Sequence, residues 1–74
     1  SQDYDAWSEA ALAKAARRPG GAAFLARLQG LDAAAPADEP GLKALAAAYA
    51  AHLREAREAG FADLAPGRFL LPGD

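Results

Sequence analysis

Seventy-four residues carrying a net charge of −2, 53% of them hydrophobic, allow one small domain at most. Alanine supplies 23 of these residues and leucine 10, while isoleucine, valine, threonine and cysteine are absent. Nothing therefore favours a sheet, and no disulfide can form. Acidic and basic groups are interspersed, four of each in residues 1–37 and six against four in residues 38–74, so neither a nucleic-acid nor an anionic-membrane surface is expected.

No apolar run approaches the roughly 20 residues of a membrane span, and no secretory leader is expected at the start of the chain. Only sixteen apolar residues are larger than alanine: the leucines, Phe24, Phe61, Phe69, Tyr4, Tyr49 and Trp7. A core of that size supplies about 3–5 kcal/mol at best, so self-association or a protein partner is expected to add to it.

A first helix is expected over about residues 4–18. Asp3, Asp5 and Glu9 lie near its N-terminus and Lys14, Arg17 and Arg18 near its C-terminus, as the helix dipole prefers. Tyr4, Trp7, Ala11, Leu12 and Ala15 form its apolar arc, and Pro19-Gly20-Gly21 ends it. The second helix, about 22–29, is short. It presents Phe24, Leu25 and Leu28, and Gly30 closes it.

The third helix, about 41–59, is built almost entirely from strong helix formers. Asp38-Glu39-Pro40 supplies its start and Gly60 its stop. Leu42, Leu45, Ala46, Tyr49, Leu53 and Ala56 share its apolar stripe, with His52 at the edge. Lys43, Arg54, Glu55 and Glu58 are expected to point away, and Ala44, Ala47, Ala48 and Ala51 leave a smooth strip on another face. A short turn at 61–64 and an extended apolar tail follow. The expected architecture is all-α: a small three-helix bundle in residues 1–65 and a C-terminal tail in 66–74. Its core is expected to comprise Trp7, Leu12, Phe24, Leu28, Leu42, Leu45, Tyr49, Leu53 and Phe61.

Chemistry-bearing constellations are few. Arg17 and Arg18 precede Gly20 and Gly21 at the mouth of the second helix, a candidate anion site through guanidinium groups and free amides. The phosphate-binding pattern that ends in Gly-Lys-Ser/Thr is missing, as is the dinucleotide glycine fingerprint. His52 is the one histidine and Ser1 and Ser8 are the serines, too few parts for a metal centre or a nucleophilic triad. No catalytic residue, metal or cofactor is expected.

The composition instead suggests a non-catalytic, cytoplasmic, bacterial-type interaction module. It would be a small accessory subunit that binds a larger protein through apolar contacts of the helices and tail. Tyr4, Tyr49, Arg68, Phe69, Leu70 and Leu71 are its candidate anchors. Two alternatives are a small DNA-binding regulator using Lys14, Arg17, Arg18 and Arg27, and a homo-oligomer enclosing an apolar ligand among Trp7, Phe24 and Tyr49.

Overall fold

A computed structural model describes residues 2–30, 36 and 38–61 of the chain. They form three helices, α1 (Gln2–Ala16), α2 (Gly21–Leu28) and α3 (Glu39–Glu58), and among the described residues there is no strand. The all-α, three-helix expectation therefore holds. The expected turn and tail at 62–74 lie outside the described residues, and so do the candidate anchors Arg68, Phe69, Leu70 and Leu71.

Each end of a helix has a local cause. α1 begins and stops two residues earlier than its periodicity suggests. The amides of Arg17 and Arg18 bond to the carbonyls of Lys14 and Ala15 at 3.1 and 3.2 Å, tightening the last turn before Pro19. Gly20 then adopts φ 77°, a left-handed conformation, and α2 starts at once behind it.

α2 closes at Gly30, which has φ 72°. α3 is capped by Asp38, whose Oδ1 accepts from the amide of Gly41 at 2.9 Å, with Pro40 in the first turn where no donor is needed. Its other end is a paired closure around Gly60. The Phe61 amide bonds to the Ala56 carbonyl at 2.8 Å and the Gly60 amide to the Arg57 carbonyl at 3.1 Å.

The core is deeper in alanine than expected. Ala15, Phe24, Leu45 and Ala48 form its fully buried centre, with Leu12, Ala23, Leu25, Leu28 and Tyr49 packed partly buried against it. Of the nine residues expected inside, Phe24 and Leu45 are fully buried; Trp7, Leu12, Leu28, Leu42, Tyr49, Leu53 and Phe61 are half-buried. The buried line of α3 runs through Leu45, Ala48, His52 and Ala56, displaced from the line of largest side chains.

Two glycines explain the displacement. A Cβ at Gly21 would collide with the Ala15 carbonyl, and one at Gly20 would overlap the Ala44 carbonyl and lie 2.6 Å from the Leu45 nitrogen. Backbone therefore sits on backbone where the α1–α2 turn meets α3. The turn takes up part of the smooth alanine strip and draws Ala48 into the core. Ala47, on the same strip, stays exposed.

Candidate functional site

The chemistry-bearing side chains collect along the seam between α1 and α3. Three turns along α1 bring Lys14 to its C-terminal end, and the tightened turn that follows carries Arg18. Both reach Glu55, in the last turn of α3. Arg18 Nη2 donates to both carboxylate oxygens of Glu55, at 3.1 and 2.9 Å, and Lys14 Nζ lies 2.9 Å from Oε2. The side chains of Arg18 and Glu55 are only 17% and 21% exposed, whereas that of Lys14 is 67% exposed. The arginine contact is the structural one and the lysine an outer contact.

Partial burial works against the charged carboxylate. The hydrogen bonds from Lys14 and Arg18 and the field of the two cations outweigh it and hold Glu55 below its ordinary 4.5. Glu55 was expected to point to solvent. It faces the seam because α3 is rotated toward Ala48 and His52, which carries the next turn of that face onto α1.

Beside this clasp runs a row of rings. Tyr4 lies 5.5 Å from Phe61 in an edge-on arrangement, and Trp7 lies 5.4 Å from Phe61 and 5.6 Å from His52. His52 lies 5.3 Å from Phe24, and Phe24 lies 6.2 Å from Tyr49. All three helices thus contribute to one continuous column, with ring separations typical of favourable aromatic pairs.

His52 is at its centre, 2% exposed, and its Nδ1 is buried without a hydrogen-bond partner among the described residues. Its place at the edge of the stripe is corrected to a place at the junction of the helices. Its pKa is lowered, most of all by burial; Glu55 works in the opposite direction and Arg18 lowers it further.

The residues singled out from the sequence are divided by this geometry. Tyr4 and Tyr49 are half-buried at the two ends of the ring row. Arg17 is exposed in the α1–α2 turn. Arg18 is held by Glu55, Gly20 lies on the α3 backbone, and Gly21 is buried against α1.

Lys14 and Arg18 converge on a carboxylate, so they do not extend a basic face with Arg17 and Arg27. Trp7, Phe24 and Tyr49 pack within the ring row, and Phe24 is fully buried. Glu55 is the residue that sequence reasoning missed. A signal existed in its spacing of three from His52 and seven from Ala48, which puts all three on one face once Ala48 is taken as core.

Two open grooves flank the clasp. One, of about 390 Å³, lies between α1 and α3 and includes Trp7, Ala10, Lys14, Glu55 and Glu58. The other, of about 450 Å³, lies over the alanine strip between Arg18, Pro19 and Arg54. Among the described residues no group of three or more His, Cys, Asp or Glu side chains could hold a metal ion, and no helix is long and apolar enough to cross a membrane.

Fold and site together define a helical unit closed along the α1–α3 seam, where Lys14 and Arg18 are directed onto Glu55. The chain belongs to the YcjX-like family, DUF463, whose family model matches residues 1–74. It is 41% identical over 76 residues to a protein of Escherichia coli (strain K12) named Ras-like GTPase YcjX; the match covers 100% of this chain and 16% of that relative. No solved structure matches the chain significantly.

Membership corrects the functional expectation. A non-catalytic interaction module or accessory subunit, a DNA-binding regulator and a ligand-enclosing oligomer all give way to a family whose relative is named as a GTPase, which is an enzyme. The residues offered no warning, because the segment shared with that relative carries helix punctuation and no phosphate-binding loop.

Proposed function

We propose that this chain is the helical part of a GTP-hydrolysing protein of the YcjX-like family. The observation that carries the reading is the 41% identity, spread over the whole chain, to a relative named Ras-like GTPase YcjX. The chain spans 16% of that relative's length, which leaves ample sequence in a protein of that size for nucleotide-binding elements. Ras-type sites hold the β- and γ-phosphates with a glycine-rich loop, its lysine and a magnesium ion. The present 74 residues contain no such loop, so on this reading the phosphates are held by other segments.

Phosphoryl transfer depends chiefly on positioning and electrostatics, so a rigid unit that fixes neighbouring segments contributes to turnover without touching the phosphate. The closed clasp and ring row favour that role. This reading also assigns the protein to the cytoplasm, where GTP is available, in keeping with its lack of cysteine.

The test uses a protein of the relative's length that contains these 74 residues. Purified with magnesium, it should bind a fluorescent GTP analogue and release phosphate from GTP in preference to ATP. The 74-residue chain alone should bind neither nucleotide. A protein of that length showing neither GTP binding nor phosphate release overturns the proposal.

A further inference from the structure

The junction of the three helices is occupied by an ionisable side chain, where packing alone would have been served by leucine. His52 lies between the ring of Trp7 from α1 and that of Phe24 from α2, at 5.6 and 5.3 Å. It is 2% exposed, and its Nδ1 meets no hydrogen-bond partner among the described residues. We propose that His52 is an acid-sensitive pin: while neutral it fastens Trp7 and Phe24 to α3, and when protonated it releases the α1 side of the bundle. The inference stands apart from the GTPase reading and needs only the helical unit.

The geometry gives the direction of release. In the neutral ring that carries its proton on Nε2, Nδ1 is a lone pair facing apolar surroundings, which is tolerable. Proton uptake turns it into a charged N–H with no acceptor, and a buried donor of that kind is far costlier. Water must then enter or a wall must move. Phe24 is fully buried and belongs to the core centre, whereas Trp7 is half-buried and borders an open groove. The Trp7 side is therefore the wall that gives.

The charges around the ring do not rescue the protonated form. Glu55, one turn further along α3, already accepts from Lys14 of α1 and Arg18 of the α1–α2 turn. A protonated His52 would be the third cation about one carboxylate. Glu58 lies out along the groove beside Trp7. α2 faces the ring with Phe24 and carries one ionisable side chain, Arg27.

The sign follows. His52 binds its proton less readily in the closed bundle than its ordinary 6.5, so the closed form holds fewer protons than the open one. Above that value the closed-to-open ratio is constant. As the pH falls from 6.5 towards the lower value of the closed state, the ratio drops by at most about tenfold per pH unit.

Trp7 is the chain's one tryptophan and His52 its one histidine, which makes the event directly readable. The experiment follows Trp7 emission and the His52 ring proton resonances of the full chain from about pH 7.5 to about pH 5, above the range where carboxylates titrate. The expected result is a red-shifted, weaker Trp7 emission whose midpoint coincides with the His52 titration and lies below 6.5. His52→Leu should show constant emission over the same range.

Constant emission in the unsubstituted chain overturns the proposal. So does an unchanged transition in His52→Leu, or a His52 that titrates at or above 6.5 with Trp7 undisturbed. Should His52→Leu fail to fold, the coincidence of the two midpoints in the unsubstituted chain decides alone. A chain lacking packed helices at neutral pH also overturns it.

Discussion

The replacement Gly20→Ala tests the contact on which the bundle is built. Two penalties combine at this position. The residue has φ 77°, which costs an L-amino acid with a side chain about 1–2 kcal/mol. The added Cβ would also overlap the Ala44 carbonyl and lie 2.6 Å from the Leu45 nitrogen. Those backbone atoms belong to the second turn of α3 and cannot swing aside like a side-chain end, so the turn must lift from α3. Overpacking of this kind costs about 1–3 kcal/mol. The sum, about 2–5 kcal/mol, rivals the whole stability of a domain this small.

Gly60→Ala supplies the control. Gly60 has a similar φ of 86°, but among the described residues nothing lies within 4 Å of an added Cβ, so the torsional penalty is the one expected there. Urea unfolding followed by far-ultraviolet circular dichroism should show a modest loss for Gly60→Ala. Gly20→Ala should lose about 1–3 kcal/mol more, or show no cooperative transition. Equal losses in the two variants would refute the close approach of the turn to α3.

The remaining predictions concern single contacts. Phe24→Ala removes the largest fully buried side chain among the described residues and should cost about 3–5 kcal/mol, seen as loss of the thermal transition. Asp38→Ala removes the cap on the Gly41 amide and should cost about 1 kcal/mol in urea unfolding. Glu55→Gln breaks the contact with a largely buried Arg18 and should cost about 1–3 kcal/mol, whereas Glu39→Gln, in a pair 76% exposed on both sides, should cost about 0.5 kcal/mol or less. Because Glu55 is held below 4.5 in the fold, its stabilisation is present above that value and fades as the pH falls from 4.5 through the lower folded value. Glu55→Gln should therefore flatten the acid limb of stability against pH.

The boundaries of the helices were legible in the sequence because capping is local. Asp38 three residues before Gly41, Gly30 and Gly60 at positive φ, and Pro19 after two arginines each act through atoms a few residues away. The core was less legible. Ranking by side-chain size pointed to Trp7, Leu53 and Phe61. Yet the deepest places went to Ala15, Ala48 and Ala56, because glycine at 20 and 21 lets backbones meet and small residues then fill the shortest distances. Glu55 was hidden by the same cause. A helix turned toward its alanines brings a nominally outward carboxylate onto the partner helix.

The family was illegible for a different reason. Polar side chains reveal chemistry when the fold leaves them aimed at a vacant space, with perturbed titration and unanswered hydrogen bonds. Here Lys14 and Arg18 meet Glu55, and Gly20 and Gly21, the candidate anion cradle, lie against α3 and α1. Among the described residues, the two grooves and the buried nitrogens of His52 (Nδ1) and Arg18 (Nη1) without a hydrogen-bond partner do not resemble a hydrolytic centre. A segment so closed can influence turnover through the placement of what surrounds it. On the GTPase reading proposed above, a substitution at Gly20 or Glu55 that loosens the unit lowers kcat while leaving GTP affinity nearly unchanged, because the loss falls on positioning and spares the phosphate contacts.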